Sequence, residues 1–144
     1  MMIRTLSIRQ PWAWAIFQER GKNIENRLKP LYQRGMLLIH ASKTFVKSDY
    51  KIAERICIEQ GLVVPSPETL SWGAIIGAVD VTDCQYSSGG DGKWGMPLYY
   101  HYKLSNPRLL NNPMSCAGRT GIFYVELPSE VEQELFVTEG QSVY

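Results

Sequence analysis

The sequence contains few of the residues that form covalent or metal cross-links. It has three cysteines, Cys57, Cys84 and Cys116, and two histidines, His40 and His101. The cysteines are far apart, odd in number and include no C-x-x-C pair, so they cannot form a disulfide framework. A zinc site would need ligands from distant parts of the chain. We therefore expect free cysteines in a reducing compartment, with no metal and no other cofactor.

Long apolar runs are also missing. No stretch approaches the length that a bilayer requires, and residues 1–11 lack the apolar region and the cleavage site of a secretory signal. With 44% hydrophobic and 20% charged residues, the composition is typical of a soluble globular protein, and we expect it in the cytoplasm without a membrane partner. A length of 144 residues suits one ordinary core, which predicts a single domain over residues 1–144.

Acidic residues are scarce in the first part of the chain. Residues 1–60 contain eleven lysines and arginines but only five acidic residues, although the net charge of the whole chain is +1. The acidic excess follows later, and near the end of the chain it includes Glu126, Glu130, Glu132, Glu134 and Glu139. A basic half favours an anionic partner such as nucleic acid, whereas ordinary solvated surface charge is the alternative explanation.

Short, β-prone segments separated by turn residues are abundant. Strands are predicted at residues 3–8, 23–27, 34–42, 72–84, 98–104 and 122–127. Helices are predicted between Pro11 and Gly21, at residues 48–61 and at 128–136, and loops at 62–71, 85–97 and 106–121. This order favours an α+β fold, a small β-barrel with two or three flanking helices, over a layered βαβ arrangement.

The two early helices each have an apolar face. In the first helix this face consists of Trp12, Ala13, Ile16 and Phe17. Trp14 lies off that face, so it either packs under another element or serves as a stacking platform for a base. Gly21 is expected at the C′ position of this helix. In the second helix we expect Ser48 as the N-cap and an apolar stripe of Ile52, Ala53, Ile56 and Cys57.

The glycine-rich stretch "SSGGDGKWG" does not fit a phosphate-binding loop of the Walker type. Such a loop needs a glycine five residues before its Gly-Lys pair and a serine or threonine after the lysine. Ser87 and Trp94 occupy those two positions. We interpret residues 85–97 as a flexible loop whose tip, with Lys93 and Trp94, could close over a ligand.

The segment "GKNIENR", residues 21–27, places Lys22, Glu25 and Arg27 close together after the first helix. Desolvation lowers the pKa of a lysine, which can then act as a base or a nucleophile, so Lys22 with Glu25 and Arg27 could be a reactive set. The same three residues can instead form a structural ion pair that keeps Lys22 charged and unreactive. The spacing in the sequence does not separate these alternatives.

Three segments, "LSIRQPWAWAI", "GKNIENR" and "GMLLIHASK", resemble the ASCH domain family. The matching positions are Leu6, Ser7, Gln10, Pro11, Trp12, Ala13, Gly21, Lys22, Glu25 and Arg27. The stretches "WGAIIGAVDVTDC" and "GRTGIFYVEL" also look like strands of the family. The resemblance implies a PUA-like fold, a small β-barrel with helices beside a cleft. It also implies RNA or nucleotide-like ligands, held where the Q-P-W and K-x-x-E-x-R segments line that cleft.

Some small bacterial relatives are hydrolases of N4-acetylcytidine that use a lysine, a threonine and a glutamate, and others have been described as ribonucleases. In the amidohydrolase pattern K-T-x-T-x-R, the working threonine lies three residues after the lysine. Glu25 occupies that position here, and it cannot act as a hydroxyl nucleophile, although it could act as a base. Amidohydrolase activity therefore ranks second, behind binding.

The leading hypothesis is an RNA- or nucleotide-binding protein, in which Arg9, Lys22, Arg27 and Lys43 hold phosphate and Trp14 or another cleft aromatic stacks on a base. The expected ligand-binding set is Arg9, Gln10, Trp14, Lys22, Glu25, Arg27, His40, Ser42 and Lys43. In the alternative, a hydrolase, Lys22 is the base or nucleophile, Glu25 its partner, and Asp80 a second acid facing the cleft. A protein partner is a third hypothesis, but no binding stripe or large exposed apolar patch supports it.

Overall fold

A computed structural model describes residues 1–137, which form a six-stranded sheet and three α-helices. The strands are β1 (Met2–Ile8), β2 (Ile24–Arg27), β3 (Gly35–Ala41), β4 (Ala74–Ser87), β5 (Tyr99–Ser115) and β6 (Ile122–Glu126). The helices are α1 (Trp12–Ile16), α2 (Lys47–Glu59) and α3 (Ser129–Val137), with one 3₁₀ turn at Pro67–Thr69. The sheet curls into a half-barrel, which confirms the predicted α+β fold with a small PUA-like barrel.

The strand order in the sheet is β2-β5-β4-β3-β1-β6. Among the described strands only β1 and β3 pair in parallel, and the other neighbours are antiparallel. The central strand β3 and the first half of β4 are covered on both faces, as their almost continuous apolar sequences require. The largest apolar cluster lies where α1 packs on the sheet and includes Leu6, Ile8, Ala13, Ile16, Leu37, Ile39, Val79 and Tyr102.

The fifth strand is much longer than the sequence predicts. The prediction of a loop over residues 106–121 is wrong for residues 106–115, which continue β5 to Ser115. Pro107 and Pro113 suggested a loop, but both lie where the pairing register between β4 and β5 shifts. Prolines are tolerated at such irregularities because the ladder of hydrogen bonds is already interrupted there.

The first helix is shorter than predicted and ends at Ile16, so Gly21 is not its C′ residue. The chain instead turns back onto the helix end, where the amide of Lys22 donates to the carbonyl of Ala15 at 2.9 Å. A Cβ atom on Gly21 would lie 2.1 Å from the carbonyl oxygen of Ala15. Gly21 is therefore required for a close approach of backbone, and this approach places Lys22 under α1.

The second helix is present as predicted, but two details of the prediction are wrong. Val46, not Ser48, is the N-cap residue, because Ser48 already lies in the first turn. The buried face consists of Tyr50, Ala53 and Cys57, whereas Ile52 is half exposed.

The third helix lies against β5, where the guanidinium of Arg108 donates to the carbonyl of Leu135 at 3.0 Å. Residues 138–144, including Glu139, lie outside the described residues, and so does that part of the predicted single domain. No helix within residues 1–137 is long and apolar enough to cross a membrane.

Candidate functional site

A cleft of about 1060 Å³ opens beside the C-terminal ends of β1 and β3 and the strand β2. Its lining includes Ser7, Arg9, Trp12, Glu25, Arg27, His40, Ser42, Lys43 and Trp72, together with residues 115–121 that follow β5. The parallel pairing of β1 with β3 sets Ser7 opposite His40. Glu25 and Arg27 are two residues apart on β2, so they share one face of that strand.

The structure brings six of the nine predicted ligand-binding residues to this cleft: Arg9, Glu25, Arg27, His40, Ser42 and Lys43. The other three lie elsewhere. Gln10 braces the start of α1, where its side chain donates to the carbonyl of Ser71 and accepts from the amide of Trp14. Gln10 and Trp14 line a different, smaller cavity, and Lys22 lines a third one behind Glu25.

Lys22, Glu25 and Arg27 form one chain of hydrogen-bonded charges. Lys22 Nζ donates to Glu25 Oε1 at 2.7 Å and also to the carbonyl of Ile24, and it lies 5.7 Å from the centre of the Trp12 ring. Arg27 Nε donates to Glu25 Oε2 at 2.8 Å. Lys22 and Glu25 are only 5% and 6% exposed. Of the two alternatives open from the sequence, the geometry is that of a buried ion pair.

The charge of Glu25 follows from its surroundings. Burial alone would raise the pKa of this carboxyl, but the charges of Lys22 and Arg27 and their hydrogen bonds outweigh it and hold the pKa below its ordinary value. Glu25 is thus ionised at neutral pH and acts as an acceptor. It orients the Arg27 guanidinium, which also donates from Nη2 to the carbonyl of Ser7 at 3.0 Å. Arg27 is the member of this chain that solvent reaches, since its side chain is 30% exposed.

His40 connects two strands and the segment after β5. Its Nε2 lies 2.6 Å from the carbonyl oxygen of Cys116, and its Nδ1 lies 2.9 Å from Ser7 Oγ. Because a carbonyl only accepts, Nε2 carries the proton, and Nδ1 of the neutral ring accepts from the Ser7 hydroxyl. The sequence analysis gave no role to Ser7, since the two side chains are 33 residues apart and meet only through strand pairing.

Exposed cations lie around the cleft. Lys43 and Arg119 are exposed, and Arg9, also exposed, is 3.1 Å from Asp49 Oδ2. Sequence reasoning missed Arg119, because it lies in a stretch interpreted as an irregular loop. Trp72 lines the cleft, and Phe45 packs edge-on against it with ring centres 5.7 Å apart.

Two further expectations about the site are corrected by the structure. Trp94 does not close over the cleft: it is 7% exposed and packs with Ala15, Ile24 and Cys57 in an apolar cluster. Asp80 is not an acid of the cleft, because its carboxylate accepts hydrogen bonds from Arg108 and Asn106 on β5.

Within residues 1–137, no three histidine, cysteine or acidic side chains are grouped closely enough to hold a metal ion. The cysteines in that part of the chain are free, and burial raises the pKa of the Cys57 thiol to about 11. The cleft is lined by hydroxyl, imidazole, guanidinium, ammonium and carboxylate groups and by the free thiol of Cys116.

Comparison with known proteins identifies a family but no individual curated relative. No curated protein matches the chain. The family model of the ASCH domain matches residues 6–135, which is almost the whole sequence and includes the strands and helices that form the cleft. The chain therefore belongs to the ASCH domain family.

Proposed function

We propose that the protein binds RNA or a nucleotide in the cleft between β1, β2, β3 and residues 115–121. The observation that carries this proposal is the fixed Arg27 guanidinium. Glu25 and the carbonyl of Ser7 hold it in place, so it meets a ligand without first losing side-chain freedom. An oriented guanidinium is well suited to a phosphate group, to which it can donate two parallel hydrogen bonds.

The charge balance of the cleft supports an anionic ligand. Lys22 neutralises Glu25, the one carboxylate that residues 1–137 contribute to the cleft lining, so Arg27 adds a net positive charge. Lys43 and Arg119 add two more from different sides. Contacts of this kind bind the phosphate backbone and orient a ligand without reading its sequence.

Two aromatic rings support a ligand that also carries a base. Trp12 and Trp72 both line the cleft, and each is only partly buried. Stacking of a base on such a ring contributes about 1–3 kcal/mol. Trp14, one of the expected stacking candidates, lines a different cavity, whereas these two rings are aromatics of the cleft itself.

The proposal is tested by fluorescence anisotropy with a labelled single-stranded RNA and, in competition, with nucleoside monophosphates. Lys43→Gln and Arg119→Gln should each weaken binding, and the double variant should weaken it more. Lys103→Gln, which changes an exposed cation of β5 outside the cleft, is the matched control. If the double variant binds as tightly as the wild type, the ligand does not lie in this cleft.

The Lys22–Glu25 pair gains no support as catalytic machinery. Lys22 does not line the main cleft, and its nitrogen is held by both the Glu25 carboxylate and a backbone carbonyl. A second function, hydrolysis, is favoured instead by the contact between Ser7 and His40.

A further inference from the structure

We propose that Ser7 is a nucleophile and His40 its general base, and that together they hydrolyse carboxylic esters in the cleft. The substrate class that fits is an ester whose alcohol part carries a phosphate, such as a nucleotide acylated on a ribose hydroxyl. The phosphate part of this inference rests on the proposed binding function, whereas the Ser7–His40 chemistry does not.

The geometry is that of a nucleophile, a base and a group that orients the base. Ser7 Oγ lies 2.9 Å from His40 Nδ1, and His40 Nε2 is held 2.6 Å from the carbonyl of Cys116. The carbonyl fixes the tautomer in which Nδ1 has its lone pair directed at the hydroxyl. This is the state of the imidazole that can remove a proton from serine.

The two side chains have different surroundings: Ser7 faces the cleft, whereas His40 is buried in the protein. Ser7 is partly exposed and lines the cleft, so a ligand in the cleft can reach its hydroxyl. His40 is 1% exposed and packs edge-on against Phe123. His40, the base, is therefore shielded from bulk water, whereas Ser7 is open to the cleft. A proton can pass between these two side chains without exchange with bulk water.

Position 118 is a glycine, which leaves space beside the contact between Ser7 and His40. A Cβ atom on Gly118 would lie 2.8 Å from His40 Cε1 and 3.1 Å from Ser7 Oγ. The backbone of Gly118 is not in the left-handed region. The absence of a side chain at this position therefore matters for the space beside Ser7 and His40, and not for the conformation of the loop.

Donors for a developing oxyanion are also present. The Arg27 guanidinium is hydrogen-bonded to the carbonyl of Ser7 itself, so it lies next to the attacking residue. Gly118 and Arg119 line the same cleft, and their backbone amides donate to no group within residues 1–137. Fixed donors near a reacting carbonyl stabilise the negative charge of a tetrahedral intermediate.

The reaction proceeds in two halves. Ser7 Oγ attacks the ester carbonyl carbon, and its proton passes to His40 Nδ1. The tetrahedral intermediate breaks the bond to the alcohol, which leaves with the proton from Nδ1, and Ser7 is acylated. A water molecule then attacks the acyl carbon and gives its proton to Nδ1; the Ser7–acyl bond breaks, Oγ regains that proton, and a carboxylic acid is released.

Two features select the substrate class. His40 is oriented by a carbonyl and not by a carboxylate, so its imidazolium form is less stabilised than in a triad, and an alcohol leaving group is favoured over the more demanding amine. The cations Lys43 and Arg119 lie on the same cleft and match a phosphate on the alcohol part.

The catalytic assignment is tested with a fluorophosphonate probe and with 4-nitrophenyl acetate, neither of which needs the phosphate site. In the wild type the probe should modify Ser7, as mapped by mass spectrometry of peptides. Ser7→Ala should abolish labelling and lower ester hydrolysis ~10²–10⁴-fold. His40→Gln, whose amide can still donate to Cys116, should lower it to a similar extent, and Ser105→Ala, an exposed serine outside the cleft, should change nothing.

Melting temperatures are measured for every variant, so that a loss of activity caused by unfolding is recognised. The labelling experiment on the wild type needs no variant. Absence of label on Ser7 in the folded wild type, or equal hydrolysis by wild type and Ser7→Ala, would overturn the catalytic assignment. If Ser7→Ala still binds RNA like the wild type, the proposed binding function stands in either case.

The substrate class is tested with adenosine 5′-monophosphate carrying an acetyl ester on its ribose, compared with the same ester of adenosine. The wild type should have at least a tenfold higher kcat/KM for the phosphorylated ester, and the double variant of Lys43→Gln and Arg119→Gln should lose that preference. Equal kcat/KM values for the two esters in the wild type would overturn the phosphate-bearing class, while labelled Ser7 would still support the nucleophile.

Discussion

At the scale of single residues, Glu25 lies between two cations, with its carboxylate oxygens 2.7 Å from Lys22 Nζ and 2.8 Å from Arg27 Nε. One acid thus pairs with a buried lysine and fixes the direction of an arginine at the cleft. Both effects depend on Glu25 being ionised. Removing its charge leaves Lys22 without a carboxylate in the interior.

We predict that Glu25→Gln lowers the free energy of unfolding at neutral pH by about 3–5 kcal/mol, because breaking a buried ion pair leaves an uncompensated charge. Urea unfolding followed by circular dichroism measures this. Glu19→Gln, an exposed glutamate with no hydrogen bond within residues 1–137, is the control and should change stability little. A loss below 1 kcal/mol for Glu25→Gln would contradict the ion-pair description.

The same pair predicts a pH dependence. The pKa of Glu25 is lower in the folded protein than its ordinary value of 4.5. Its contribution to stability is therefore fully present above about pH 4.5 and is lost as the pH falls through the lower folded value. The difference in unfolding free energy between wild type and Glu25→Gln should narrow over that acidic window, and it should stay constant from pH 6 to 8 as far as Glu25 is concerned.

At the scale of elements, the turn after α1 decides where the charged segment lies. The amide of Gly21 donates to Gln18 at 2.8 Å, and the amide of Lys22 donates to Ala15 at 2.9 Å. These two bonds direct the chain from the end of α1 into β2. Backbone atoms of Ala15 and Gln18 fill the space that a side chain on Gly21 would need.

We predict that Gly21→Ala destabilises the protein by about 1–3 kcal/mol, because the added methyl group collides with backbone that cannot move without breaking this turn. Gly89→Ala is the control, since nothing lies within 4 Å of its added carbon and its backbone is not left-handed. Differential scanning calorimetry of both variants gives the comparison. Equal melting temperatures for the two would show that the turn is adaptable.

The segment between β5 and β6 supplies the other side of the cleft, and a Cβ atom on Gly118 would lie 2.8 Å from His40 Cε1. We predict that Gly118→Ala slows fluorophosphonate labelling of Ser7 at least tenfold, because the methyl group disturbs the contact between Ser7 and His40. Gly118 is exposed, so the melting temperature should change by only a few degrees. An unchanged labelling rate would mean that the Ser7–His40 contact is not required for reactivity.

At the scale of the whole molecule, the fold combines charges that the sequence keeps apart. Lys43 belongs to the basic first part of the chain, whereas Arg119 comes from the acidic later part, and both line one cleft. Arg27 adds a third cation. Glu25 pairs with both Lys22 and Arg27, so these three residues together carry one net positive charge. The charge asymmetry along the chain is therefore a weaker guide to the binding surface than the cleft itself.

Three phosphate contacts, by Arg27, Lys43 and Arg119, predict that the logarithm of the RNA association constant falls with the logarithm of salt concentration with a slope of about −2. Lys43→Gln should reduce the size of this slope by about 0.7. Anisotropy titrations at several salt concentrations measure both values. A slope near zero would exclude phosphate contacts as the basis of binding.

Most strands and helices could be predicted from the sequence, because the spacing of apolar residues that indicates each of them is a property of a short stretch of chain. Strands β1, β3 and β6 and the helix α2 follow from runs of apolar residues and from turn residues at their ends. The length of β5 could not be predicted, since two prolines argue against a strand and only the irregular pairing with β4 accommodates them. Which of Trp12 and Trp14 lies at the cleft is also decided by the fold, because a helical wheel shows which residues share a face of a helix but not what lies opposite that face.

What the sequence by itself determined is the local chemistry: free cysteines, a basic first half, and the set of Lys22, Glu25 and Arg27 within one turn and one short strand. Glu25 and Arg27 are two residues apart on that strand, so their shared face follows from the alternation of side chains alone. Only the tertiary structure decided that Lys22 is buried, that Arg119 reaches the cleft, and that Ser7 meets His40. The last contact depends on the parallel register of β1 with β3, and strand order and register arise from packing of the whole sheet, which no local pattern records.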